Sequence, residues 1–375
     1  MKNRKINHDG IIRQAVESVN LETGEVTEHE VLRDESTTGK DKPWAKHKRG
    51  SARLATLYEK ANEIVPLLSE RRLDALKSCG DWLEFVRYSD GTKKFRRAYF
   101  CKLRLCPMCQ WRRSLKLARR LHDTVERISA TSTTRFIFVT LTQRNVAGEN
   151  LGEELGKMTA AFSSLMRRKP LKDVVLGWCR SIEVTVNARD FSFHPHVHAL
   201  VAVKAEYFRG RGYVKQARWR ELWQGAMGLD YLPQVNVKAI DSGVTVEVAK
   251  YCAKGLDALA KIADGRQVVE TLIHLHKALA NRQLITFAGV FSGIAFADDD
   301  WDDDSKNCAC DGDSGVSEVG WAIYRWTPRA GVYVATVAID SYPLLLSTVA
   351  TVAPPNRQAS SGCGRLCDGD VQETG

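Results

Sequence analysis

Three histidines stand at alternate positions in Phe191–Val203, FSFHPHVHALVAV: His194, His196 and His198. In an extended chain successive side chains point to opposite faces, so the three share one face while Pro195, Val197 and Ala199 take the other. Imidazoles so placed can bind a divalent cation together, and an oxygen ligand from a neighbouring strand would complete the site. A hydrophobic edge strand can carry one histidine by chance, but here three of the chain's nine fall within five residues. Glu183, in the strand-like RSIEVTVN, is the nearest oxygen donor. The turn-rich connection Asn187–Ser192 should bring that strand back antiparallel to the histidine strand. Glu183 is then either a ligand or an exposed carboxylate.

The second set is made of thiols. Asp90-Gly91 is a strong hairpin-turn signal between WLEFVRY and KKFRRAYF. A hairpin centred there pairs residues whose numbers sum to about 181, which sets Cys79 opposite Cys101 within one residue of register. Cys106-Pro107-Met108-Cys109 adds a C-x-x-C knuckle, so Cys79, Cys101, Cys106 and Cys109 can converge on one Zn²⁺. Four thiolates leave no position for water, so that zinc would be structural. Separate buried cysteines are the alternative. Cys308, Cys310, Cys363 and Cys367 could hold a second metal, but their spacing is not diagnostic.

The third set lies in VEVAKYCAKGLDALAKIA. Glu247, Tyr251 and Lys254 fall at i, i+4 and i+7 of the helix expected there, on one face. An acid, a nucleophilic hydroxyl and a cation on one stripe can support phosphoryl chemistry, although surface residues at helical spacing look the same.

The elements that must position these groups are readable from periodicity. TRFIFVTLT (Thr134–Thr142) reads as a buried strand, followed by a helix whose Met158, Phe162, Leu165 and Met166 pack on it. QVNVKAI is another short strand. After the knuckle, WRRSLKLARRLHDTVERIS is an amphipathic helix with Leu117, Leu121, Val125 and Ile128 as its apolar stripe. Its Arg112, Arg113, Lys116, Arg119 and Arg120 are candidate DNA contacts or a solvated face. The same two readings apply to the basic run KPWAKHKRGSAR, Lys42–Arg53. WAIYRW and GVYVATVAI suggest a hairpin near the end of the chain.

These readings divide the chain into a polar and mostly disordered 1–41 and a 42–130 segment with basic arm, helices and knuckle. A catalytic core over 131–265 and a helical extension over 266–297 follow. An acidic, Cys/Gly-rich tail over 298–375 carries six aspartates around Trp301. The formal net charge of +10 favours a polyanionic partner. No run reaches the roughly 18 apolar residues of a membrane helix, and MKNRKINHDG lacks the apolar core of a signal peptide. A cytoplasmic protein is expected, with its ten cysteines as thiols and metal ligands rather than disulfides.

FVTLT, then HPHVH, then E-x-x-x-Y-x-x-K resembles the three motifs of HUH-class rolling-circle plasmid replication initiators. The likeness is closest to the subfamily with a Glu four residues before the catalytic Tyr. CPMCQWRRSLK, the Cys79-Gly80 pair and the KPW at Lys42–Trp44 also resemble that subfamily, and the likeness spans roughly Lys42–Phe291. It implies an α+β fold, with a ferredoxin-like nuclease core built on a central antiparallel sheet and preceded by the zinc knuckle and helices.

The same resemblance implies a metal-dependent endonuclease and strand transferase. His196 and His198 would hold Mg²⁺ or Mn²⁺, with His194 as a ligand or a neighbour of the ligands. Tyr251 would form a 5′-phosphotyrosine at the nick, and Glu247 would activate water for the terminating hydrolysis. Lys254 would orient Tyr251 or offset phosphate charge. The implied partners are DNA, at a plasmid double-strand origin with a hairpin or single-stranded nick site, and host helicase and polymerase, with no membrane. A transposase of the same class and a non-enzymatic zinc repressor are the rival readings.

Overall fold

The computed structural model describes residues 5–8, 11–19, 26–35, 39, 41–209, 212–240, 265–293 and 317–339. Glu247, Tyr251 and Lys254, the aspartate run, and Cys308, Cys310, Cys363 and Cys367 lie outside the described residues. In chain order the first elements are β1 (Lys5–His8), β2 (Ile11–Val19) and β3 (Val26–Glu30), an antiparallel meander. This corrects the expectation of a mostly disordered 1–41. The segment is polar overall, but β-branched residues recur along it, and the sequence between the paired His8 and Ile11 is Asp-Gly, a favoured hairpin dipeptide. Just beyond β3, Val31 bridges Val334.

Helices α1 (Trp44–Ile64) and α2 (Glu70–Lys77) lead into the hairpin of β4 (Trp82–Tyr88) and β5 (Lys93–Ala98). Leu83 pairs with Ala98 and Arg87 with Lys93, as a turn at Asp90-Gly91 requires. Helix α3 (Pro107–Thr131) starts on the knuckle, with Pro107 in its first turn, where a missing N–H costs nothing. The basic run Lys42–Arg53 is structural at Lys42, Trp44 and Lys48, while Lys46, Arg49 and Arg53 are exposed. Buried Asp34 accepts hydrogen bonds from Lys42 Nζ and Trp44 Nε1, both at 2.7 Å, which ties the KPW segment down at the head of α1.

The core then follows as β6 (Arg135–Thr142), α4 (Leu151–Arg167), β7 (Val175–Val186), β8 (Phe193–Val203), α5 (Gln216–Met227) and β9 (Val235–Ile240). Helix α6 (Gly265–Leu279) and β10 (Ile285–Gly289) complete it. The strands form one antiparallel sheet in the order β10-β7-β8-β6-β9. Residues 266–297 are therefore more than a helical extension, because β10 is an edge strand of the core sheet. Likewise β11 (Glu318–Thr327) and β12 (Val332–Ile339), placed in a tail by the sequence, join β4 and β5 in a four-stranded sheet ordered β12-β11-β4-β5. Both corrections concern pairings between distant segments, which local periodicity does not report.

Alternation sorts the central sheet into two faces. Ile137, Val139, Leu141, Ile182, Val184, Val197, Ala199 and Val201 face the large core containing α4, α5 and α6. Phe136, Cys179, Leu200 and Ala202 face the apolar stripe of α3, Leu117, Leu121, Val125 and Ile128. By the same alternation His194, His196 and His198 lie on the α3 face, beyond the ground that helix covers.

Leu121 is fully buried between α3 and the sheet. Leu121→Ala should cost about 2–5 kcal/mol of unfolding free energy, read as a lowered denaturation midpoint at unchanged slope.

Candidate metal centres and active site

The first centre is produced by strand register. In the β7–β8 ladder Glu183 pairs directly with His196 and Ser181 with His198. Glu183 Oε2 lies 3.1 Å from His196 Nε2 and 3.0 Å from His198 Nε2, and all three side chains are nearly buried. Glu183 is therefore not an exposed carboxylate. The far nitrogen of each ring is held as well. His196 Nδ1 donates to the carbonyl of His194 at 3.0 Å, and His198 Nδ1 meets Thr140 Oγ1 at 3.2 Å across β6. A carbonyl can only accept, so Nδ1 of His196 carries the proton and, in the neutral ring, Nε2 presents a lone pair.

That lone pair faces an anionic oxygen. The arrangement is favourable only when a cation, or a proton on the imidazole, sits between them. Burial pushes the Glu183 carboxyl up, but hydrogen bonds from His196 and His198 outweigh it and hold the group at about 2. The donor set is two imidazoles and one carboxylate, with outer partners fixing ring orientation, and it could hold a divalent cation with positions left open. His194 shares the face, with its ring centre 5.3 Å from that of His196, but it is not part of the three-residue ligand cluster. Burial, with His196 close by, lowers its pKa.

The second centre joins the β4–β5 hairpin to α3. The sulfurs of Cys79 and Cys109, of Cys101 and Cys109, and of Cys79 and Cys106 are each 3.6 Å apart. A tetrahedron with metal–sulfur bonds of about 2.3 Å has edges of ~3.8 Å, so these thiols already stand at zinc spacing and well beyond disulfide distance. Cys79 is followed by Gly80 at φ +68 and Cys101 by Lys102 at φ +58, so each hairpin arm turns sharply after its ligand. A Cβ on Gly80 would lie 3.0 Å from Met108 Cε and 3.3 Å from Tyr333 Oη. Cys106 and Cys109 come from the first turn of α3, whose positive end favours thiolates.

Outer groups bear on these sulfurs. The Cys101 N–H donates to Cys79 Sγ at 3.4 Å, and Ser51 Oγ lies 3.1 Å from Cys106 Sγ. Burial raises the Cys106 thiol, but hydrogen bonds from the other three cysteines and Ser51 hold it well below the usual range. Hydrogen bonds within the same cluster drive Cys79 and Cys109 up. Buried Lys48 donates to the carbonyls of Lys77 and Cys79 and pairs with the Asp81 carboxylate at 2.5 Å, which ties α1 to the loop that carries Cys79.

The basic stripe of α3 divides. Arg112, expected among the DNA contacts, is buried over the rings of Trp44, Phe95 and Trp111, and burial pushes its guanidinium down to about 10. Its place three positions past Cys109 turns it inward, so it supports the aromatic core and cannot reach a phosphate. Arg119 is exposed, and Arg113, Lys116 and Arg120 are half-buried along a cleft beside α3. Sequence reasoning missed Thr140 and Ser181, which flank His198 on β6 and β7. Both lie at alternate positions of strands already read correctly, but a hydroxyl in a strand carries no signal until its neighbour is known. It also missed Ser51 and Lys48, brought to the thiols by α1.

We expect one zinc per chain by elemental analysis, lost in Cys106→Ser together with the fold of the knuckle. Zinc content unchanged by that substitution would remove the assignment. In Glu183→Ala, Mn²⁺ affinity read by titration calorimetry should fall by about tenfold or more. Wild-type affinity in that variant would place the metal elsewhere.

A family model described as "Replication protein" matches residues 92–334, a span that includes both centres apart from Cys79. Curated relatives carry the same kind of name. The protein rep of Streptococcus pneumoniae serotype 2 is 34% identical over 273 residues, covering 70% of this chain and 82% of its own. That of Bacillus amyloliquefaciens is 35% identical over 292 residues (71% and 85%), and that of Lentilactobacillus hilgardii 36% over 277 residues (70% and 85%). No solved structure matches the chain. On the strength of the family model and the length over which these relatives align, the chain belongs to the plasmid rolling-circle replication protein family.

Proposed function

We propose that this protein nicks one strand at its plasmid origin, becoming covalently attached to the 5′ side, and later releases the displaced strand by transfer and hydrolysis. The observation that carries the reading is the triad of Glu183, His196 and His198, with Nε2 and carboxylate oxygens converging at 3.0–3.1 Å. Its setting supports it. The order β6-α4-β7-β8-α5-β9, with sheet order β7-β8-β6-β9, is the β-α-β-β-α-β pattern of a ferredoxin-like core, and in HUH nucleases such a core presents the histidines on a central strand. Membership in a replication protein family favours an initiator over a transposase.

A divalent cation held by Glu183, His196 and His198 would polarise the scissile phosphate and offset the charge that develops on it. The remaining work falls to the chain. Thr140 and the His194 carbonyl hold the two imidazoles in position, so the ligand nitrogens need no reorganisation as the strand binds. Tyr251 Oη attacks phosphorus. The P–O3′ bond breaks, the phenolic proton is lost, and the 3′-oxygen takes up a proton to become the primer end for host polymerase. Lys254 steadies Tyr251 or the phosphate. Glu247, four residues before Tyr251 in the sequence, takes a proton from the water that ends the round. The knuckle would hold Zn²⁺ as a structural ion and brace α3 against the DNA.

The test is a supercoiled plasmid carrying the origin, incubated with the protein and Mn²⁺. Wild type should nick it and become protein-linked, whereas Tyr251→Phe should bind the origin and do neither. Glu247→Ala should nick normally but terminate poorly, by ~10²–10⁴-fold, so that multimeric single strands accumulate. A wild-type protein that binds duplex origin tightly and never nicks would favour the repressor reading instead.

A further inference from the structure

Strand pairing lays the histidine face of the central sheet out in rows. Thr140, His198 and Ser181 form one row across β6, β8 and β7, and Thr142, His196 and Glu183 form the next. Thr185 stands opposite His194 in the row beyond. On the other side Phe138, Leu200 and Cys179 make an apolar row that packs toward α3. By alternation all these side chains rise from one face.

The hydroxyls of this face are engaged, with one exception. Thr140 Oγ1 meets His198 Nδ1 at 3.2 Å. Thr142 Oγ1 donates to the Gln234 carbonyl at 2.9 Å, and Thr185 Oγ1 to the His194 carbonyl at 3.3 Å. Ser181 Oγ is closed off from solvent and has no hydrogen-bond partner among the described residues, and the residue is only 3% exposed. An unpaired buried hydroxyl is a net cost that alanine at the same place would avoid. A bound ion, with the ligands it carries, is one physical reason for such a group to stand there.

The position of Ser181 points to that reason. Side chains directly opposite in a ladder begin about 4.5–5.5 Å apart, so the hydroxyl starts beside the His198 ring. Along β7 it is two residues from Glu183. The Glu183 carboxylate leans toward the row of Ser181, since the same Oε2 lies 3.1 Å from His196 Nε2 and 3.0 Å from Nε2 of His198, the residue opposite Ser181. The neighbours on the remaining sides, Ile285 on β10 and Leu200 on β8, have side chains with no acceptor. A partner for the hydroxyl therefore comes from the side of Glu183 and the histidines.

Those three donors fit a six-coordinate cation. Adjacent ligands on an octahedron with bonds of ~2.1 Å stand about 3.0 Å apart, which is the spacing between Glu183 Oε2 and each nitrogen. Three protein donors leave three positions for oxygen ligands. We propose that Ser181 is a positioning residue of this centre, its oxygen accepting a hydrogen bond from a water carried by the cation. Water on a divalent cation is a strong donor, and the serine proton stays free to turn toward the Glu183 carboxylate. The inference rests on the metal site of the nicking function proposed above and adds a residue to it.

The experiment measures Mn²⁺ binding to the full chain by titration calorimetry without DNA, with thermal melting of each metal-free variant alongside. Two comparisons isolate the hydroxyl at nearly constant volume: wild type against Ser181→Ala, and Ser181→Thr against Ser181→Val. Outer partners of metal ligands are typically worth 10–100-fold in affinity, so Ser181→Ala should bind Mn²⁺ about tenfold or more weakly, with a melting temperature no lower than wild type. Ser181→Thr should bind about tenfold or more tightly than Ser181→Val, whatever the added methyl does to packing in both. Wild-type affinity in Ser181→Ala, or equal affinities in the Thr and Val variants, would overturn the proposal and leave serine there for its size alone. Glu183→Ala separates this result from the reading it rests on. Affinity lost in Glu183→Ala but kept in Ser181→Ala discards the role of Ser181 alone, whereas wild-type affinity in both discards the metal site with it. No cleavage is measured, so a protein that fails to nick would leave the assignment of Ser181 standing.

Discussion

The register of β7 against β8 is the constraint on which the candidate active site depends. Glu183 opposite His196 puts a carboxylate oxygen within 3.1 Å of two imidazole nitrogens. A slip of one residue would turn Glu183 to the other face, into the company of α4 and α6, and leave the histidines without an oxygen ligand. The register is well defended. Ile182, Val184, Val197, Ala199 and Val201 are all buried in the large core, so a slip would expose apolar side chains along both strands. Each face of the sheet thus constrains the other: apolar burial on one side fixes polar convergence on the opposite side. The cost of crowding a carboxylate and two nitrogens into a nearly dry site is met by packing that has no part in the chemistry.

The knuckle solves a different problem. The hairpin β4–β5 and the start of α3 meet at four sulfurs, set within the large core cluster beside Phe100, Leu103, Leu105 and Met108. Groups around them temper the charge that thiolates would bring, namely Ser51 on Cys106 and the N-terminal end of α3, while Lys48, paired with Asp81, holds the Cys79 carbonyl. Arg112 belongs to the same economy of charge, lying in an aromatic box with Asp34 close enough to favour its cationic form.

How far the sequence disclosed this depended on the range of each interaction. The hairpin turn at Asp90-Gly91 is a local signal, and with it the approach of Cys79 to Cys101 followed by counting. The pairing of Glu183 with the histidine strand followed from a short turn-rich connection, again local. Arg112 looked like its neighbours Arg113 and Lys116, because a helical wheel cannot tell which basic residue lies under aromatic rings supplied by α1 and β5. The joining of β10 to β7 and of β11 to β4 was invisible, since each partner reads as an ordinary strand and the pairing spans a hundred residues or more. Strands in 1–41 were overlooked because a polar composition was given more weight than scattered β-branched residues and one Asp-Gly pair. Glu247, Tyr251 and Lys254 rest on helical spacing and on the family resemblance, as they lie outside the described residues.

Helix α3 is the element that ties these parts together. Its first turn supplies Cys106 and Cys109, its apolar stripe covers one end of the histidine face, and its basic edge lines the cleft. Structural zinc in small domains contributes apparent binding energies of roughly 10–16 kcal/mol, comparable to the whole stability of a typical domain. A helix anchored at one end by such a centre and along its length by Leu117, Leu121, Val125 and Ile128 cannot rotate without breaking one attachment or the other. Its cations therefore hold a fixed distance from Glu183, His196 and His198. The proposed nicking reaction would gain from that rigidity, because a displacement of about 1 Å in the bound strand is enough to lose ~10²-fold in rate. The four-thiol centre and the cluster of Glu183, His196 and His198 are thereby two ends of one positioning device, with α3 as the rigid member between them.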